Sequence, residues 1–176
     1  MSRTNDVLSR RTAAAQESGD LADHPMTGTW LVYANPPLLE DLQPTTWAYF
    51  GADGSVHLMF PLTQRGPQEV VFNTSYGGVW EADDERTAHF TATQLLSDAD
   101  GNFLGTTTVD GYPMVSEDGQ TFIDDGARVM ITTRDPAGAV VQQFPDPRDR
   151  PVTVTKMSPG NPGFPEGTPE AGTPMT

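Results

Sequence analysis

The chain of 176 residues contains no cysteine, which removes disulfides, thiolate catalysis and sulfur-ligated zinc or iron together. Lysine is almost as scarce: Lys156 stands alone beside nine arginines. The 10 basic residues face 24 acidic ones, a net charge of −14. Such a surface repels polyphosphate, so neither a nucleic acid nor an anionic membrane is an expected partner. No run of about 18 apolar residues occurs, so no segment reads as a membrane-spanning helix. The 3 histidines, His24, His57 and His89, are not spaced as paired ligands on one element. Asp98-Ala99-Asp100-Gly101-Asn102 has the look of a calcium loop, but its register sets Leu96 and Thr107 where acidic ligands are required. No nucleophile elbow, phosphate loop, dinucleotide fingerprint or zincin helix is present. No cofactor and no metal are therefore expected.

What the sequence does have is punctuation, 17 Gly and 16 Pro, and it falls into three parts. Residues 1–24 carry few large apolar groups and read as a polar N-terminal arm outside the core, with a helical stretch from about Asn5 to Glu17. Ser9-Arg10-Arg11-Thr12 echoes a twin-arginine export signal, but no apolar stretch follows it. The expected compartment is the cytoplasm, or outside the cell if a leader has been removed. Residues 158–176 hold five Pro and four Gly, a composition that cannot fold without support from the body or from a neighbouring subunit.

Residues 25–157 form the folded domain. Candidate strands are Gly28–Ala34, Thr45–Phe50, Val56–Leu62, Glu69–Asn73, Gly78–Ala82, Thr87–Leu96, Phe103–Asp110, Tyr112–Ser116, Ala127–Thr133, Ala139–Phe144 and Val152–Met157. They are separated by one recurring turn unit, Asp53-Gly54, Asp100-Gly101, Asp118-Gly119 and Asp135-Pro136-Ala137-Gly138. Hairpins this short forbid parallel crossovers, so the expected fold is all-β, an antiparallel up-and-down meander. Closing it into a barrel of about 8–10 strands hides the edges, and a two-sheet sandwich is the alternative. Ala88, Phe90 and Ala92 alternate with His89, Thr91 and Thr93, which separates an apolar face from a polar one. Val56-His57-Leu58-Met59-Phe60 is apolar on both faces, which calls for cover by an arm or a second copy of the chain. A homo-oligomer is thus among the expected partners.

Gly28-Thr29-Trp30, at the start of the first strand, resembles the glycine-x-tryptophan signature that opens strand A of lipocalins and related calycin barrels. Gly78-Val79-Trp80 repeats it 50 residues later. The resemblance implies that the glycine bends the chain into the barrel floor, that Trp30 plugs the closed end, and that Arg150 or Lys156 lies across its ring. In length and strand pattern the chain is also similar to allene oxide cyclase and the spirotetronate cyclases, whose barrel interior serves as a reaction vessel.

A barrel of this kind implies a small, largely apolar organic ligand in its interior. Trp47, Tyr49, His57, Phe60, Phe90, Phe103, Met114 and Met130 are its expected lining. The alternative is a cyclase or isomerase acting by positioning and fixed charge, with His89, Asp110, Tyr112 and Arg128 as proton donors or charge stabilisers and Arg128 paired to Asp110 or to a ligand carboxylate or enolate. A third reading is an assembly protein without a small ligand. The sequence leaves open whether the chain is an enzyme.

Overall fold

The computed structural model describes residues 21–34, 43–65, 70–145 and 152–164. The helical stretch expected at Asn5–Glu17, the Arg10-Arg11 pair, Arg150 and the tail beyond 164 lie outside these. The described residues form thirteen strands in chain order. These are β1 Gly28–Ala34, β2 Gln43–Phe50, β3 Ser55–Met59, β4 Thr63–Arg65, β5 Val70–Asn73, β6 Tyr76–Ala82, β7 Ala88–Ser97, β8 Phe103–Gly111, β9 Met114–Val115, β10 Thr121–Asp124, β11 Met130–Arg134, β12 Val140–Pro145 and β13 Val152–Lys156. All strand pairs are antiparallel. Eleven of the strands make one curled sheet, a half-barrel, in the order β12-β11-β8-β7-β6-β3-β2-β1-β13-β10-β9.

This order departs from the simple up-and-down sequence expected. The β4–β5 hairpin stands off the main path, and the last strand, β13, runs between β1 and β10. Two of the strands, β4 and β10, have no counterpart among the candidates from sequence. The physical reason for the detour at β10 is Phe122: this hairpin carries an aromatic ring that packs edge-on against Trp30 at 5.0 Å, so it has to reach the first strand's side of the curl. Thr87 bridges Met114, and the Ala88 and Val115 N–H groups donate to Pro113 O (3.0 Å) and Arg86 O (2.9 Å). The end strand β9 is thereby drawn back to the start of β7.

The turn units behave as their chemistry requires. Gly54 and Gly101 both take φ of 81°, and Asp53 Oδ1 accepts from Ser55 N–H (3.0 Å) and Ser55 Oγ–H (2.6 Å). Asp98 accepts from the N–H groups of Asp100 and Asn102 (3.0 and 2.8 Å). Side-chain and backbone donors hold the Asp53, Asp98 and Asp118 carboxyls below the usual carboxylate range. Much of the acidity is thus turn-forming and solvated.

One end of the curl is filled. Trp30 and Phe50 are fully buried. The Phe50 ring meets Trp80, Phe90 and Phe122 edge-on at 5.7, 5.9 and 6.1 Å, contacts worth about 0.5–1.5 kcal/mol each beyond their burial. The two indoles each satisfy their N–H on a backbone carbonyl, Trp30 on Met26 O and Trp80 on Gly51 O, both at 2.8 Å. Residues 21–27 complete this floor. Leu21, His24 and Met26 are buried, so the end of the segment expected to stay out of the core packs into it. His24 Nδ1 accepts from Met26 N–H (3.2 Å) and its Nε2 lies 2.9 Å from Asp84 O. Of the two cations expected near Trp30, Lys156 lies over the ring at 5.0 Å and donates to Pro25 O at 2.8 Å.

The start of the Pro/Gly-rich tail also packs on the body. Ser158 bridges Asn161, and a Cβ on Gly163 would lie 3.2 Å from Leu31 Cβ and 3.4 Å from Met157 Cγ. This return covers Leu31 on the outer side of β1, which explains its burial there.

Candidate functional site

Away from the floor the inner face changes character. Its row on β2 runs Phe50, Ala48, Thr46, and on β7 it runs Ala88, Phe90, Ala92, Gln94, all buried. The last buried side chain described in each row is thus polar. Leu58 on β3 pairs with Ala48 and with Tyr76, and Gly77 pairs with Thr93. Thr46, Leu58, Tyr76 and Gln94 thus occupy the inner face of four successive strands, and Phe60 meets the Tyr76 ring at 5.5 Å. Asn73 on β5 sits beside them, paired with Leu96.

Gln94, Thr46 and Asn73 are 2%, 5% and 6% exposed. Thr46 Oγ1, Gln94 Oε1 and Asn73 Oδ1 have no hydrogen-bond partner among the described residues. The Asn73 amide is oriented by its other end, since Nδ2 donates to Pro61 O (3.2 Å) and Thr74 O (3.3 Å). Burial pushes the Tyr76 phenol up to about 12, so it keeps its proton at any physiological pH.

The residues singled out by sequence divide differently. Of the expected lining, Phe90 lies in the core and Phe60 packs against it. Trp47, Tyr49, His57, Phe103 and Met114 are exposed, and Met130 is half-buried. The expectation for β2 was out of phase by one residue. A strand has only two faces, and the fully buried Phe50 fixes Thr46 and Ala48 inward, which turns Trp47 and Tyr49 outward. His57 stacks on Tyr49 outside at 6.3 Å. Likewise β3 buries Val56 and Leu58 alone and exposes Met59.

The four candidates for chemistry do meet, but on the outer side of the sheet. His89 points outward from β7. Its Nε2 lies 2.7 Å from Asp110 Oδ1 on β8 and its Nδ1 3.3 Å from Glu81 Oε1 on β6. Thr91 Oγ1 donates to the same Asp110 oxygen at 2.9 Å. The Tyr112 ring stacks on the imidazole at 4.4 Å and 1°, and the Arg128 guanidinium carbon lies 3.6 Å from the Tyr112 centroid. At these distances both cannot share one face, so Tyr112 is sandwiched. Arg128 donates to Asp83 Oδ2 at 3.1 Å, which replaces the expected pairing with Asp110. Burial pulls the His89 imidazole down, but the hydrogen bonds and charges of Asp110 and Glu81 outweigh it and the net shift is upward. With carboxylates on both ring nitrogens, His89 ties three strands together and has no free nitrogen for general-base work.

Reading by residue type overlooked Thr46, Asn73, Tyr76 and Gln94. The signal was available in phase: Gln94 continues the alternation of Ala88, Phe90 and Ala92, and a polar residue in an apolar row marks a buried group that needs a partner. Asn73 also opens an Asn73-Thr74-Ser75 glycosylation sequon, yet its amide is buried and bonded. Among the described residues no helix is long and apolar enough to cross a membrane, and no group of acidic or histidine side chains is arranged to hold a metal ion. Compared with protein-family models, curated proteins and solved structures, the chain matches none.

Proposed function

We propose that the chain is a binding protein whose curled sheet works as a small calycin-like barrel, floored by Trp30, Phe50 and Trp80. In this reading it carries a small, largely apolar organic molecule at the opposite end. The observation that carries the reading is the set of three buried polar atoms, Thr46 Oγ1, Gln94 Oε1 and Asn73 Oδ1, without partners among the described residues. Each buried polar group left unpaired costs about 1–3 kcal/mol. Three of them would take up a large share of the roughly 5–15 kcal/mol by which a domain is stable, so they call for a guest that supplies their hydrogen bonds. Phe60 and Tyr76 offer apolar surface beside them. The bridge from Thr87 to Met114 supports closure of the sheet into a barrel at the floor end.

The cyclase or isomerase alternative draws nothing from this interior, because His89, Asp110, Tyr112 and Arg128 lie outside it with their charges already paired. The test is native mass spectrometry of the protein purified from its own organism, followed by extraction of the bound species. A stoichiometric small organic molecule, displaced when Gln94 is replaced by Met, is the expected result. Protein that emerges at its sequence mass and binds no apolar probe under titration would refute the reading.

A further inference from the structure

From the character of the three unpaired atoms we infer that the ligand is electrically neutral and a hydrogen-bond donor, of the alcohol or primary-amide class, and not a carboxylate of the fatty-acid type; this rests on the interior-binding reading above. Gln94 Oε1 and Asn73 Oδ1 are carbonyl oxygens, which accept and cannot donate. The Asn73 amide is not free to turn its nitrogen inward, because Nδ2 is held by Pro61 O and Thr74 O. Thr46 can do either. A carboxylate head offers acceptors only. Set against two carbonyl oxygens it would leave both unpaired and add a buried charge of the same sign as their dipoles.

No cation on the described inner face would relieve that charge. Lys156 sits at the floor, occupied by Pro25 O and the Trp30 ring, and Arg128 is on the outer side with Asp83. An ammonium head would meet the acceptors but would lack a counter-charge beside them: the inner-phase carboxylate of Asp124 lies by Gly111, which pairs with Phe90, four residues from Gln94 or about 13 Å along β7, and it stands three strands from Thr46. Thr46 and Gln94 are separated by β3 and β6, about 14 Å along the sheet at ordinary strand spacing. One donor therefore does not serve both, and the ligand bears its donors at more than one place.

The experiment uses the full chain at neutral pH and a matched set of decyl probes: decanol, decanamide, decanoate and decylammonium, titrated by calorimetry. Decanamide and decanol are expected to bind at least about tenfold tighter than the two ions. In Gln94→Met, decanamide affinity should fall by about tenfold, toward that of decanoate. Gln94→Leu, checked for cooperative unfolding, serves as the second variant with the same expected loss of preference. Decanoate or decylammonium binding as tightly as decanamide overturns the inference while leaving interior binding intact, as does a preference unchanged in both variants. Failure of all four probes to bind overturns the binding reading itself.

Discussion

Replacing Gln94 by Met should stabilise the ligand-free protein. The two side chains have similar length and volume, so the substitution leaves no large cavity and forces little overpacking. What changes is Gln94 Oε1, an acceptor in a residue 2% exposed that meets no donor among the described residues. Removing an unpaired buried acceptor returns about 1–3 kcal/mol, a shift of about 5- to 160-fold in the folded-to-unfolded ratio. For a folded unit of roughly 130 residues, with an unfolding entropy near 2.1 cal/mol/K per residue, this raises Tm by roughly 4–11 °C. Asn73→Leu makes the control, because Asn73 also has an unpaired oxygen but its Nδ2 holds Pro61 O and Thr74 O. There the lost anchors outweigh the relieved acceptor, and the variant should be less stable than the parent.

The assay is urea and thermal unfolding of the delipidated protein and both variants, followed by Trp fluorescence. Adding decanamide at 100-fold its Kd should stabilise the parent by about 2.7 kcal/mol and the Gln94 variant much less, so that the ranking of the two narrows or reverses. A ligand-free Gln94→Met that loses more than about 1 kcal/mol would mean that the Gln94 amide is already held by partners in the empty protein, and it would refute the reasoning for the whole site.

Three further outcomes are expected. At the neighbouring glycines of β6, Gly78→Ala should prevent folding, since its Cβ would lie 2.0 Å from Thr91 O and 2.6 Å from Ala92 Cα, whereas Gly77→Ala meets nothing within 4 Å and should leave Tm unchanged or raise it; equal behaviour of the two on thermal melts would contradict the packing. Phe50→Ala should destabilise by roughly 3–5 kcal/mol in urea titration, because a fully buried ring is lost from three aromatic contacts; a loss under about 1 kcal/mol would mean the floor is loosely packed. For His89, the folded imidazole is held above its ordinary 6.5 by Asp110 and Glu81, so its contribution is complete below about pH 6.5 and disappears as pH rises through the folded value. Between pH 6 and 8.5 the parent should lose a few tenths to about 1 kcal/mol relative to His89→Asn, as suits partly exposed pairs, and a parent that gains over that interval would reverse the sign.

How much was legible follows from the range of each signal. Strands β1, β7 and β8 stand within a residue of their reading from sequence because alternation and Asp-Gly turns act over a few neighbours. Strand β10 escaped notice since Thr121–Asp124 lies between two turn signals, too short for alternation to show, yet Phe122 is central to the floor. The meeting of Trp30 with a basic side chain was anticipated from the glycine-x-tryptophan resemblance and realised by Lys156. The outer cluster shows the opposite balance. His89, Asp110, Tyr112 and Arg128 were singled out as polar groups on strands, but their exposure, and the choice of Asp83 over Asp110 by Arg128, depend on contacts 21 and 45 residues apart.

The sequence by itself determined an all-β antiparallel chain, most of its turns, and the two-faced alternation of the strands long enough to show it, since these follow from the period of two and from residues that tolerate tight bends. Tertiary structure alone decided which face looks inward. On β2 that choice belongs to Phe50, whose ring is locked among Trp80, Phe90 and Phe122 from three other strands, and it sends Trp47 outward and Thr46 inward. The unpaired atoms of Thr46, Asn73 and Gln94 are a property of that assembly. A polar side chain is satisfied by water in the unfolded chain, and only the packed sheet, by excluding water, makes its missing partner a feature of the fold.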